Sequence, residues 1–104
     1  MDRYVTMFSA LGHAARLAIF RCLIKAGGEG GCGEEIQQEV AIPSSTLSHH
    51  LDALRRAGLL VSQREGRFIR YRVDQTVIGD LLRFLTKDCC AGLTKAAGAR
   101  GVRR

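Results

Sequence analysis

The sequence predicts a mostly α, α+β domain, with a small helical core and one two-stranded β-hairpin. Three observations predict it. Apolar residues recur at helical spacing over five separate stretches. One run near residue 69 alternates instead with a period of two. Glycine-rich or proline-bearing segments fall between these patterns. The 104 residues, 46% hydrophobic and 25% charged, suit a single domain. A domain this small buries a limited core and often gains stability by pairing with a copy of itself.

The elements follow in order. Residues 3–11 place Tyr4, Phe8 and Leu11 on one face of a short helix. Residues 13–26 are apolar apart from Arg16, Arg21 and Lys25, so this helix is expected at the centre of the core. The stretch "GGEGGCG" (27–33) reads as a loop, because glycine weakens a helix through backbone entropy. Residues 34–40 make a short helix. Residues 44–57 make another, with Leu47, Leu51 and Leu54 on one face and Gly58 as its stop signal. In "LLVSQREGRFIRYRV" the pair Glu65-Gly66 sits between two runs, and Ile69, Tyr71 and Val73 alternate with Arg70 and Arg72. That predicts a hairpin with one buried and one basic face. Residues 76–88 carry a wide apolar stripe of Val77, Ile78, Leu81, Leu82, Phe84 and Leu85. The stripe is broader than one core face needs, which points to a partner chain. Residues 1–92 are thus expected to form one folded domain that pairs with a copy of itself. Residues 93–104 form a basic tail with little apolar bulk, expected to be flexible.

Charge is unevenly spread. Net charge is +6; six arginines and one acid lie between Arg55 and Arg72, while four glutamates and no base lie between Glu29 and Glu39. A basic centre beside an acidic segment suits a surface aimed at a polyanion. Two helices joined by "VAIPS" and followed by a basic hairpin describe a winged helix-turn-helix. In that arrangement the second helix enters the major groove of double-stranded DNA and the hairpin reaches the backbone alongside. With the leucines inward, Ser45, Ser48, His49 and Asp52 lie outward. Ser44, Ser45, Thr46, Ser48 and His49 are the candidate DNA-reading residues, and Arg64, Arg67 and Arg70 the candidate phosphate contacts. His50 falls toward the leucine face as a packing residue.

Three separated blocks, "ALGHAARLAIFRCL", "SSTLSHHLDALRRAGLL" and "REGRFIRYRV", resemble the ArsR/SmtB family of metal-responsive repressors, over about residues 7 to 85. The resemblance implies a homodimer paired through its first and last helices. It implies an inverted-repeat operator, released when an inducer binds, and it assigns Ser45, Thr46, Ser48 and His49 to the recognition helix. Two departures stand out. Ala14-Ala15 occupy a helix start where members commonly carry proline. Cys32-Gly33-Glu34 match the Cys-x-Cys of many arsenic-sensing members with only one thiol.

Sensing is therefore expected at the adjacent pair Cys89-Cys90, with Cys32 a possible third ligand. Thiolates suit soft, three-coordinate trivalent arsenic or antimony. A two-thiol site also suits a species bringing its own carbon substituent, such as a methylated trivalent arsenical. Lys87 and Arg83 are expected to favour thiolates, and Asp88 and the helix C-terminus to oppose them. Cys22 reads as a small apolar core residue. Zinc or nickel fits poorly, since the last helix offers Asp80 and Asp88 but no histidine. No catalytic constellation is visible: no arginine stands six residues after any of Cys32, Cys89 and Cys90, so no enzyme is expected. No apolar stretch approaches the roughly 18 residues of a membrane span, and the N-terminus lacks a signal-peptide pattern. The expectation is a cytoplasmic homodimeric repressor that leaves its operator when trivalent arsenic or antimony binds, with no organic cofactor and no membrane partner. The alternatives are a redox or persulfide sensor of the same fold and a non-specific architectural DNA-binding protein.

Overall fold

The computed structural model describes residues 1–93; nearly all of the 93–104 tail lies outside the described residues. Helix α1 (Asp2–Leu11) runs into α2 (Ala14–Ala26), which is capped by His13: its Nδ1 accepts from the Ala15 N–H at 3.2 Å. A 3-10 turn (Gly27–Glu29) and a two-residue strand β1 (Gly31–Cys32) lead to α3 (Gly33–Val40). The turn 41–43 then connects to α4 (Ser44–Arg56). Ala41 is left-handed at φ 51°, and Gln37 Nε2 donates to the Ile42 carbonyl at 2.8 Å, which pins this turn. Strands β2 (Leu60–Glu65) and β3 (Phe68–Val73) form the hairpin, and α5 (Gln75–Thr86) closes the chain. Asp74 caps α5, accepting from the Thr76 N–H and hydroxyl.

Helix α4 ends where its sequence says it should. Gly58 sits at φ 89°, its N–H bonds the Arg55 carbonyl, and the Leu59 N–H bonds the Leu54 carbonyl, each at 3.0 Å. This is a Schellman motif, and its hydrophobic contact is made by Leu54 and Leu59, both fully buried. With Met7, Ile19, Leu23, Ile36 and Leu51 they make the centre of one core shared by α1 to α4 and the base of the hairpin.

Three expectations need correction. The segment 27–33 is not simply a loop. It contributes β1, which pairs antiparallel with β3 (Gly31 opposite Tyr71, Cys32 opposite Arg70), so the sheet has three strands in the order β1-β3-β2. Gly30, at φ 66°, permits this approach, because a Cβ there would collide with the Tyr71 carbonyl oxygen. The hairpin's alternating face is also not buried along its whole length. Val73 is buried and Tyr71 half-buried, but Ile69 is 42% exposed, because the hairpin runs out past the helices that cover its base. The last helix stops at Thr86, two residues short of the expected 88.

Candidate nucleic-acid interface and thiol site

The apolar face of α4 fixes what its other face can present. Leu47, His50, Leu51 and Leu54 are buried, which leaves Ser44, Ser45, Thr46, Ser48 and His49 exposed on the first two turns. Five side chains that can hydrogen-bond base edges or phosphates therefore share one outward surface. Asp52 lies on the next turn and is engaged, accepting from Arg55 at 2.7 Å and Arg56 at 2.8 Å. These bonds hold its carboxyl below the usual carboxylate range.

The hairpin arginines divide into two kinds. Arg64 and Arg67 are exposed and make no ion pair among the described residues. Arg67 lies in the turn and lines one groove with Ser44 and Ser48, so hairpin and α4 present a continuous surface. Arg70 differs from its expected role. It is half-buried, pairs with Glu65 at 2.9 Å and Glu35 at 3.7 Å, and donates to the Glu29 carbonyl. Its charge is spent tying the sheet to α3 and the 3-10 turn. Sequence reading could not see all of this: Glu65 lies five positions away in the same hairpin, but Glu35 and the Glu29 carbonyl lie 35 and 41 positions away.

The thiol pair lies beyond α5. Lys87 caps the helix, and the chain turns through Asp88 and Cys90, both at φ 63°. The Cys89 N–H bonds the Thr86 carbonyl and the Ala91 N–H bonds the Asp88 carbonyl. Both thiols are exposed, with Sγ atoms 3.6 Å apart. Two sulfurs on one ion, each about 2.3 Å away, stand about 3.4–3.8 Å apart at ordinary bond angles, so the spacing fits a shared soft centre. Cys89 is not activated as expected. Cys90 hydrogen-bonds Cys89 and pushes its thiol up, while Arg83 is drawn to Asp80 at 2.6 Å.

Cys32 is half-buried at the start of α3, and its backbone N–H donates to the Glu35 carboxylate at 2.9 Å. That bond is the main reason Glu35 titrates low. Within one chain the structure does not bring Cys32 to the pair: no group of three His, Cys, Asp or Glu side chains placed to hold a metal ion occurs among the described residues. Cys22 is half-buried on α2, and burial raises its thiol first of all. Sequence reasoning missed the bond from Arg16 Nε to His50 Nδ1 at 3.1 Å. A histidine among the core-facing leucines of α4 was the available signal. No single helix among the described residues is long and apolar enough to cross a membrane.

Comparison with known proteins agrees with this architecture. A family model described as a helix-turn-helix domain matches residues 11–63. The transcriptional repressor SdpR of Bacillus subtilis is 32% identical over 85 residues, covering 78% of this chain and 91% of the repressor. An ArsR-like transcriptional regulator from Rhodococcus sp. RHA1 superposes with a TM-score of 0.71 at 25% identity, covering 99% of this chain and 86% of that one. The homodimeric winged helix-turn-helix DNA-binding domain of Mb0332 from Mycobacterium bovis, a possible ArsR-family regulator, gives 0.67 at 29% identity, covering 82% and 76%. The exposed reading helix, the flanking hairpin and these likenesses agree, and the chain belongs to the ArsR-like family of winged helix-turn-helix transcriptional regulators.

Proposed function

We propose that the chain is a cytoplasmic homodimeric repressor. It binds an inverted-repeat operator through α4 and the hairpin and releases it when trivalent arsenic or antimony closes across Cys89 and Cys90. The observation that carries the sensor is the exposed pair of adjacent thiols 3.6 Å apart. Soft trivalent centres exchange oxygen ligands for thiolates, and two sulfurs on neighbouring residues lose little chain entropy in closing on one ion. The third position then falls to a partner-chain group or to the ligand's own substituent, which favours a methylated trivalent arsenical.

The dimer reading rests on the outer face of α5. Leu82 and Leu85 are 60% and 62% exposed. Beside them Tyr4 of α1 stacks on Phe84 with centroids 4.2 Å apart, so the first and last helices already present one surface. Mb0332, a structural relative, is a homodimer. The repressor reading is supported by SdpR.

The same short Sγ–Sγ distance favours a second reading, a thiol redox sensor. A peroxide would take two electrons and two protons from the pair, leaving a Cys89–Cys90 disulfide and water. One experiment separates the two. A duplex selected by the protein from a randomised pool is titrated with arsenite, antimonite, methylarsenite or hydrogen peroxide, with and without a phosphine reductant. Metalloid-driven release that survives the reductant supports the first reading. Release by peroxide alone, abolished by the reductant, replaces it with the second. No preference for the selected duplex over random DNA overturns both in favour of an architectural DNA-binding protein.

A further inference from the structure

His50 is the one buried polar side chain among the described residues, 6% exposed and on the same face of α4 as Leu47, Leu51 and Leu54. The groups that act on it come from three places. Arg16 of α2 donates from Nε to His50 Nδ1 at 3.1 Å. His13, in the turn that opens α2, has its ring centroid 4.8 Å away. His49, its neighbour on α4, lies at 5.6 Å. A guanidinium only donates, so Nδ1 holds a lone pair and the neutral ring keeps its proton on Nε2. Each of these neighbours is a cation or becomes one on protonation, and no carboxylate is among them.

We propose that Arg16 and neutral His50 form a brace that sets the recognition helix on α2, and that protonation of His50 opens it, so that operator recognition is lost in acid while non-specific DNA binding persists. The inference rests on the reading of α4 as the base-reading helix. Protonated, Nδ1 would aim an N–H at a guanidinium, losing the bond and setting two like charges against each other in a part-buried seam. Either side chain must then leave the seam, and α4 shifts against α2. Ser48 and His49 are carried on the same turn as His50, and hydrogen bonds to base edges weaken steeply with misalignment. Phosphate contacts by Arg64 and Arg67 come from the hairpin and depend mainly on charge. Burial first, then His13 and Arg16, pushes His50 below the ordinary histidine range. The sign follows. Above an unfolded pKa of about 6.5 the ring is neutral in both states and the brace is intact. Below it the unfolded chain takes the proton first, and the stabilisation is lost as pH falls toward the folded value.

The test measures affinity for the selected duplex and for random DNA at constant ionic strength, from about pH 8 to about pH 5, across the histidine range. In wild-type protein the affinity ratio falls in acid, with a limiting slope of about tenfold per pH unit for each proton taken up. His50→Asn keeps an acceptor facing Arg16 and does not titrate, so its ratio stays flat. Arg16→Gln keeps a donor and removes the positive charge, so the midpoint moves to higher pH. A merely structural contact would lower the ratio at every pH and leave the midpoint in place. His49→Asn should lower the ratio at every pH but leave the midpoint of the remaining acid loss in place, which separates titration of the reading side chain itself. If His50→Asn fails to fold, the His50 ring is titrated by NMR in wild-type protein, and a midpoint at or above the ordinary histidine value overturns the brace. So does an acid loss that persists in His50→Asn, or good wild-type discrimination that ignores pH. An absence of discrimination at every pH overturns the base-reading role of α4, and the brace with it.

Discussion

The reading face and the thiol-bearing turn are held in place very differently. On α4 every outward side chain stands on a helix whose other face is closed by Leu47, Leu51 and Leu54, whose end is locked by a Schellman motif, and whose start follows a pinned turn. From Leu85 to Cys90 every residue is exposed, and the turn is held by two backbone hydrogen bonds through two left-handed non-glycine residues. Direct readout needs side chains placed within a fraction of an ångström, so the reading face must be pre-organised. A ligand-responsive element is drawn from the low-stability end of a structure, where rearrangement costs little. Two αL residues that are not glycine, Asp88 and Cys90, make the thiol turn easier still to displace.

The largest effect that can test this contrast lies on α5, which serves both parts. Leu81 is 7% exposed and packs into the core, while Leu85, one turn on, is 62% exposed. Leu81→Asp buries an unpaired charge at a cost of several kcal/mol and should unfold the chain. Leu85→Asp should leave the protomer folded by circular dichroism but monomeric by sedimentation. A dimer that tolerates Leu85→Asp would move the pairing surface off α5.

A smaller effect sharpens the contrast within the interface. His49→Ala should flatten discrimination between operator and random DNA if His49 reads a base edge as proposed. Arg67→Ala should weaken both about equally and reduce the magnitude of the salt slope by about one. Arg70→Ala should leave the salt slope alone, since that guanidinium already faces Glu65 and Glu35. A salt slope that drops equally for Arg67→Ala and Arg70→Ala would show that the ion pairs open on DNA.

The same division marks what was legible in the sequence. Helices were legible because their apolar spacing and stop signals are local. Gly58 ends α4 as its position demands, and the leucine stripe fixes which serines and histidine face outward. Strand β1 was not legible, because two residues carry no periodicity and glycine-rich sequence reads as loop. The alternation at Ile69 was read correctly as strand but wrongly as buried, since a pattern does not say where the covering helices stop. Arg70 and His50 each take part of their surroundings, Glu35 and Arg16, from more than 30 positions away, and pairing at that range leaves no local trace. The thiol pair was plain as sequence. Its chemistry was not, because the effect of Cys90 on Cys89 depends on the turn that sets their sulfurs together.

The smallest structural effect belongs to the thiols, and it is the sharpest test of the comparison. Cys89 and Cys90 are exposed, lie beyond the last turn of α5 and bond only each other through their side chains. Replacing both by serine changes each site by one chalcogen atom and removes no core contact. The unfolding midpoint, the dimer and the operator affinity should therefore stay at wild-type values, while release by trivalent arsenicals disappears. Release needs the ligand to bind the free conformation more tightly than the DNA-bound one, and a coupling of about 1–3 kcal/mol lowers operator affinity roughly 5- to 150-fold. A displaced turn can deliver this if α5 lies at the pairing surface, because the two reading helices must meet grooves about 34 Å apart. Cys22→Ser should leave release intact, and Cys32→Ser should weaken the arsenite response but not the methylarsenite response if the partner chain's copy completes the site. A double-serine protein that still lets go of its operator at the wild-type metalloid concentration would move the sensor elsewhere in the chain.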